Sequence, residues 1–161
     1  MPEYRAAIDI AASPDTVFEY LVTDDGMTAW MGQRAALDPV AGGDFAVDIA
    51  GHAIRGTFVE IDRPRRVVVT WGMGGSADLP PGSSTVTFDL IATPDGTRVE
   101  LRHEGLPETE VPGHDDGWRH FLPRLERAAI GLPAGTDDWM PMPDRPAAPD
   151  RPDPFRSAGR T

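Results

Sequence analysis

Between Tyr4 and Ile10, Tyr4, Ala6, Ile8 and Ile10 alternate with Arg5, Ala7 and Asp9, which is the period of a strand with one buried face. Ser13-Pro14-Asp15 then supplies an N-cap, a proline at the first helical position and an acid near the positive end of the helix dipole. Val17, Phe18 and Leu21 follow at helical spacing, and a second short helix is expected from Asp24, carrying Met27, Trp30 and Met31.

From Gly42-Gly43 the period changes to two. Phe45, Val47 and Ile49 alternate with Ala46 and Asp48, a turn is expected at Gly51-His52, and a strand runs from about Ile54 to Ile61. Asp62-Arg63-Pro64-Arg65 turns the chain into the run Val67 to Trp71. After a loop from Gly72 to Ser83 come Val86, Phe88 and Leu90, an expected two-residue hairpin at Asp95-Gly96, and a last strand with Val99, Leu101 and His103 on one face. A helix is expected over about 112–130, because Trp118, Phe121, Leu122, Leu125, Ala128 and Ala129 recur at three and four residues and Gly131 suits its C-cap. Pro123 lies inside it and predicts a bend near Arg119 and His120, since a mid-helix proline removes a hydrogen bond and crowds the carbonyl four residues back. One antiparallel sheet and one long helix, each with a single apolar face, must cover each other, and incomplete closure leaves an apolar cavity.

Composition changes near Leu132. From Pro133 to Thr161 there are seven prolines, five aspartates and four arginines with almost no apolar periodicity, so the chain divides into a domain over 1–132 and a disordered tail over 133–161. Trp139, Met140, Met142 and Phe155 are the large apolar groups of that tail, and the alternative is that Trp139-Met140 docks on the domain or on a protein partner. The whole chain has 161 residues, enough for a core without staples, and it contains no cysteine. All fifteen basic residues are arginine, so a Schiff-base lysine, a thiolate nucleophile, a cysteine metal cluster and a P-loop lysine are all excluded. A net charge of −11 opposes binding to nucleic acid or to an anionic membrane. The first residues lack a signal-peptide pattern and no apolar run is long enough to cross a bilayer, so the expected location is cytoplasmic without membrane insertion.

Trp30, Gly42-Gly43-Asp44-Phe45, Gly56-Thr57-Phe58-Val59-Glu60-Ile61, Val69-Thr70-Trp71, Gly96-Thr97-Arg98-Val99, His103-Glu104-Gly105-Leu106 and Gly117-Trp118 occur in that order. Over residues 1–132 this order resembles the START-like (SRPBCC) helix-grip superfamily, and more narrowly bacterial proteins similar to the activator of Hsp90 ATPase homologue 1-like (AHSA1) C-terminal domain. The resemblance implies an α+β, Bet v 1-like fold: a curved antiparallel sheet of six or seven strands wrapped around the C-terminal helix, with a hydrophobic ligand cavity between them. That fold hosts lipid carriers, hormone receptors, polyketide cyclases and oxygenase domains, so function has to be argued from the site.

His103 shares a face with Val99 and Leu101 and points toward the expected cavity, either as an acid or base near neutral pH or as a core histidine held by a carbonyl or carboxylate. Glu60 faces the cavity if Ile54, Phe58 and Glu60 share the inner face, and faces solvent if Val59 and Ile61 do; a Glu60–His103 pair would be the argument for catalysis. Trp30, Phe45, Phe58, Trp71, Phe88, Leu101, Trp118 and Leu122 complete the candidate ligand-binding set, with Trp30 at the mouth. Gly72 to Ser76 precedes a strand and so lacks the helix that a dinucleotide loop needs. The four histidines show no metal-ligand spacing and no serine sits in G-x-S-x-G, so neither a metal, another cofactor nor a hydrolase triad is expected. The leading expectation is binding of a small hydrophobic or amphipathic molecule; the alternatives are a cyclase- or dehydratase-type enzyme using His103 and Glu60, and a chaperone-accessory or other protein-interaction module.

Overall fold

The alternation at the amino end forms strand β1 (Glu3–Ile10), and Ser13 caps helix α1 (Pro14–Val22), its hydroxyl accepting from the Thr16 amide at 3.2 Å. Thr23 caps the short helix α2 (Asp24–Thr28) in the same way through the Gly26 amide. These elements come from a computed structural model that describes residues 3–135, 137 and 139. Strands β2 (Arg34–Leu37), β3 (Asp44–Ile49), β4 (His52–Asp62), β5 (Arg66–Trp71), β6 (Ser84–Thr93) and β7 (Gly96–Glu104) follow, then a short 3-10 turn over Glu108–Glu110 and helix α3 (Val111–Ala129). Strand β2 went unrecognised in the sequence because its four residues include two alanines and carry no clear alternation. It is held at the sheet edge by β3 and by Asp24 Oδ1, which accepts from the Leu37 amide at 2.8 Å.

The seven strands form one curved antiparallel sheet in the order β1-β7-β6-β5-β4-β3-β2. Helix α3 is a single helix with Pro123 inside it, and it buries Gly117, Trp118, Phe121, Leu122, Leu125, Ala128 and Ala129 in the core. Two turns are displaced by one residue from their expected places. The β3–β4 turn uses Ala50 and Gly51, both at positive φ (51° and 84°), as a two-residue hairpin of this hand requires, and His52 already pairs with Ile49. In the β6–β7 connection Gly96 pairs with Thr93, so it lies in the strand rather than in the turn. Its lack of a side chain serves a close approach instead, since a Cβ there would lie 2.1 Å from the Ile10 carbonyl oxygen.

Most of the expected tail, residues 140–161 with 136 and 138, lies outside the described residues, and with it Met140, Met142 and Phe155. The described part does not leave the domain. Arg124 donates to the carbonyls of Ala134 and Gly135, and Arg127 donates to that of Pro133. Trp139 is half-buried against α3, stacked on His120 at 5.7 Å and edge-on to Phe121 at 5.0 Å. Among the described residues no helix is long and apolar enough to cross a membrane.

Candidate functional site

Where the sheet and the amino-terminal half of α3 diverge, a cavity of about 160 Å³ remains. Met31, Ile49, His52 and Ile54 form one side and Trp71 and Met73 the base; Glu110, Gly113, His114, Gly117, Trp118 and Phe121 come from the α3 side, and Trp139 closes the remaining wall. Of the expected ligand-binding residues, Trp71 and Trp118 stand in this wall. Trp30, Phe45, Phe58, Phe88, Leu101, His103 and Leu122 do not; each is 4% exposed or less and belongs to the packed core. Trp30 in particular is fully buried rather than at a mouth, its indole donating to the Tyr20 carbonyl at 2.9 Å and its ring edge-on to Phe88.

Two tryptophans and two histidines are packed together behind and within this wall. Trp71 and Trp118 lie 5.3 Å apart, and His103 and His114 5.1 Å apart. Each indole donates to one imidazole: Trp118 Nε1 to His103 Nδ1 at 3.3 Å, and Trp71 Nε1 to His114 Nε2 at 3.2 Å. An indole N–H can only donate, so each receiving nitrogen carries a lone pair and the proton sits on the other nitrogen of the ring. His103 Nε2–H therefore donates to Ser84 Oγ at 2.8 Å, and that hydroxyl donates onward to the Trp71 carbonyl at 2.8 Å. His114 Nδ1–H donates to the Glu110 carbonyl at 2.9 Å.

Both rings are thereby neutral and fully engaged. Burial, with a smaller effect from His114, pushes the His103 pKa well below its ordinary value. Burial also lowers that of His114, opposed by its hydrogen bond to the Glu110 carbonyl and by the Glu110 carboxylate. Protonating either ring would turn its accepting nitrogen into a second donor facing an indole N–H. Neither ring has a free nitrogen for proton transfer.

The expected Glu60–His103 pair does not form. Ile54 and Phe58 do face inward, but β4 carries a bulge at Val59, where Phe58 stands opposite Val69 and Glu60 opposite Val68. The extra residue turns the following side chain over, leaving both Val59 and Glu60 exposed. The alternation alone contains no sign of such an insertion.

Sequence reasoning passed over His114, Glu110 and Ser84, and it held docking of Trp139 on the domain only as the alternative to a disordered tail. His114 was legible: it lies one helical turn before Trp118 on the same apolar stripe, and extending the stripe toward the amino end of α3 would have included it. Trp139 had no local signal beyond being a tryptophan in a polar segment. Its place depends on Asp137, which accepts from the Trp139 amide and His120, and on Asp116 Oδ2, which accepts from its indole at 2.9 Å.

A family model described as activator of Hsp90 ATPase homolog 1-like protein matches residues 11–129. An AHSA1-like protein from Rhizobium etli is 37% identical over 86% of this chain and 88% of its own, with a TM-score of 0.70. The Aha1 dimer of Colwellia psychrerythraea is 21% identical over 80% of this chain and 96% of that one, at 0.72. An Hsp90 activator from Plasmodium falciparum is 24% identical over 81% and 97%, at 0.67; these last two likenesses speak to the fold. Comparison with functionally curated proteins finds no match.

Proposed function

The chain belongs to the activator of Hsp90 ATPase homolog 1-like family, and from that premise we propose that it binds a small apolar or amphipathic molecule in the pocket between the sheet and α3. One observation carries this reading. The space left between sheet and helix is walled by three indoles, Phe121, Met31 and Met73, and its two wall-and-backing histidines are committed to internal hydrogen bonds. Such a lining rewards burial of an apolar body, and neither His103 nor His114 has a ring nitrogen free to act on it as acid or base. The enclosed part has room for about one benzene ring, so a substituent on that ring reaches toward the open side of the pocket. Native mass spectrometry of the full chain, isolated without organic solvent, tests the reading: a discrete small-molecule adduct is expected, and it should be absent from a Gly117→Leu variant, whose Cβ would already stand 3.5 Å from the Trp139 ring, so that the rest of the side chain crowds the wall. The same adduct on both proteins would contradict it.

A second reading, a chaperone-accessory role, is favoured by the family description and by the Plasmodium protein's activity as an Hsp90 activator. Stimulation of a bacterial Hsp90 ATPase by the full chain would establish it. Among the described residues the exposed large apolar side chains are Val40, Val59 and Ile91, and Ile130 and Leu132 at the end of α3.

A further inference from the structure

The pocket's charge is one-sided. Among the described residues its wall contains one carboxylate, Glu110, two histidines, His52 and His114, and no arginine. Glu110 precedes α3 without using its side chain as a cap, and its side chain is 22% exposed. Its carboxylate lies 3.8 Å from His114 Nδ1, but that nitrogen gives its proton to the backbone carbonyl and the ring is neutral, so no cation faces Glu110 from that side. On α3, Arg119 is paired with Asp115 at 2.8 Å, and Arg124 is occupied by the carbonyls of Trp30, Ala134 and Gly135 and stands 3.9 Å from Asp137. The amino end of α3 adds the equivalent of about half a positive charge. The full negative charge of Glu110 outweighs it.

Resting on the proposed ligand-binding role, we infer that the pocket takes an organic cation: a small amphiphile whose ammonium group sits among Trp71, Trp118 and Trp139 with Glu110 as its counter-charge. Indole faces attract cations through their quadrupole, and the attraction grows as the cation is taken out of water between them. A carboxylate at the rim adds long-range attraction that a neutral or anionic ligand does not share. An anionic amphiphile would bring its charge against Glu110 with no arginine in the wall to receive it.

Three probes of nearly one shape separate the possibilities: phenyltrimethylammonium, its neutral carbon analogue tert-butylbenzene, and benzenesulfonate. Binding to the full chain is read from the methyl signals of Met31 and Met73 in protein labelled with methyl-13C methionine. The cation should bind about tenfold more tightly than the neutral analogue, and benzenesulfonate should not bind. Glu110→Gln should remove most of the preference for the cation and leave tert-butylbenzene affinity unchanged; Glu110→Ala should do the same, which separates charge from the shape of one replacement. Equal or better binding of tert-butylbenzene or benzenesulfonate, or a preference unmoved by both variants, would overturn the inference and leave the pocket reading intact. Silence of Met31 and Met73 toward all three would overturn the pocket reading and this inference with it.

Discussion

Acid should unfold this protein earlier than its carboxylates alone would. His103 and His114 are both held neutral by burial, with folded-state pKa values below the ordinary 6.5, so the unfolded chain binds their protons more tightly than the folded one. Stability is therefore complete above about pH 6.5 and falls as pH drops below it, by about 1.4 kcal/mol per pH unit for each ring until its own folded pKa is reached. At pH 5 that amounts to at most about 2 kcal/mol for each ring, out of a typical total of about 5–15 kcal/mol. Asp115, lowered by its hydrogen bond to Arg119, contributes in the same direction only below its ordinary 3.8, outside this window. Urea unfolding followed by tryptophan fluorescence at pH 7.5, 6.5, 5.5 and 5.0 measures the slope. His103→Gln isolates one contribution, because a glutamine amide can accept from Trp118 and donate to Ser84 without titrating. The variant's profile should be flatter than the wild type's by up to about 2 kcal/mol at pH 5. A wild-type stability that is level down to pH 5, or a variant that runs parallel to it, would refute the neutral, doubly engaged assignment of these rings.

Ser84→Ala should cost about 1–3 kcal/mol in urea unfolding at pH 7.5, because it leaves a buried imidazole N–H without an acceptor; a loss under about 0.5 kcal/mol would mean the bond to His103 is not made. Glu60→Gln should change stability by no more than about 0.5 kcal/mol and leave probe affinity at Met31 and Met73 unchanged, whereas a clear loss of binding would place Glu60 inside after all. Trp139→Ala removes one wall and should admit ligands too large for the present space, seen as enhanced fluorescence of an uncharged two-ring dye such as a dimethylaminonaphthyl ketone; equal enhancement with wild type would mean that Trp139 does not limit access.

The fold was legible because its signals are local and repeated. The alternation of β1, β3 and β7, the Ser13 cap and the α3 stripe each follow from a few neighbouring residues and agree with one another. The site was less legible because it depends on single-residue events and on distant pairings. One inserted residue at Val59 moves Glu60 from the inner face to solvent, and no propensity marks the place. The aromatic residues were correctly read as inward-facing, but whether an inward ring belongs to the core or to a pocket wall depends on where α3 and the sheet separate. That separation is set by the bulk of Trp118 against Trp71 and by a segment beyond Leu132 whose contacts span the helix. His103 was rightly placed on an apolar face, yet its partners turned out to be a serine and an indole rather than a carboxylate. That choice of partners decides between a proton-transfer group and a structural one.

The central claim, that the space between the sheet and α3 receives a small molecule, is tested most directly at the pocket methionines. In protein labelled with methyl-13C methionine, titration with phenyltrimethylammonium should move the Met31 and Met73 signals in a saturable way. The fully buried Met27 should stay in place, and Gly117→Leu should abolish the response. Saturable shifts that persist unchanged in Gly117→Leu, or no shift at Met31 and Met73 while the protein remains folded, would contradict the account.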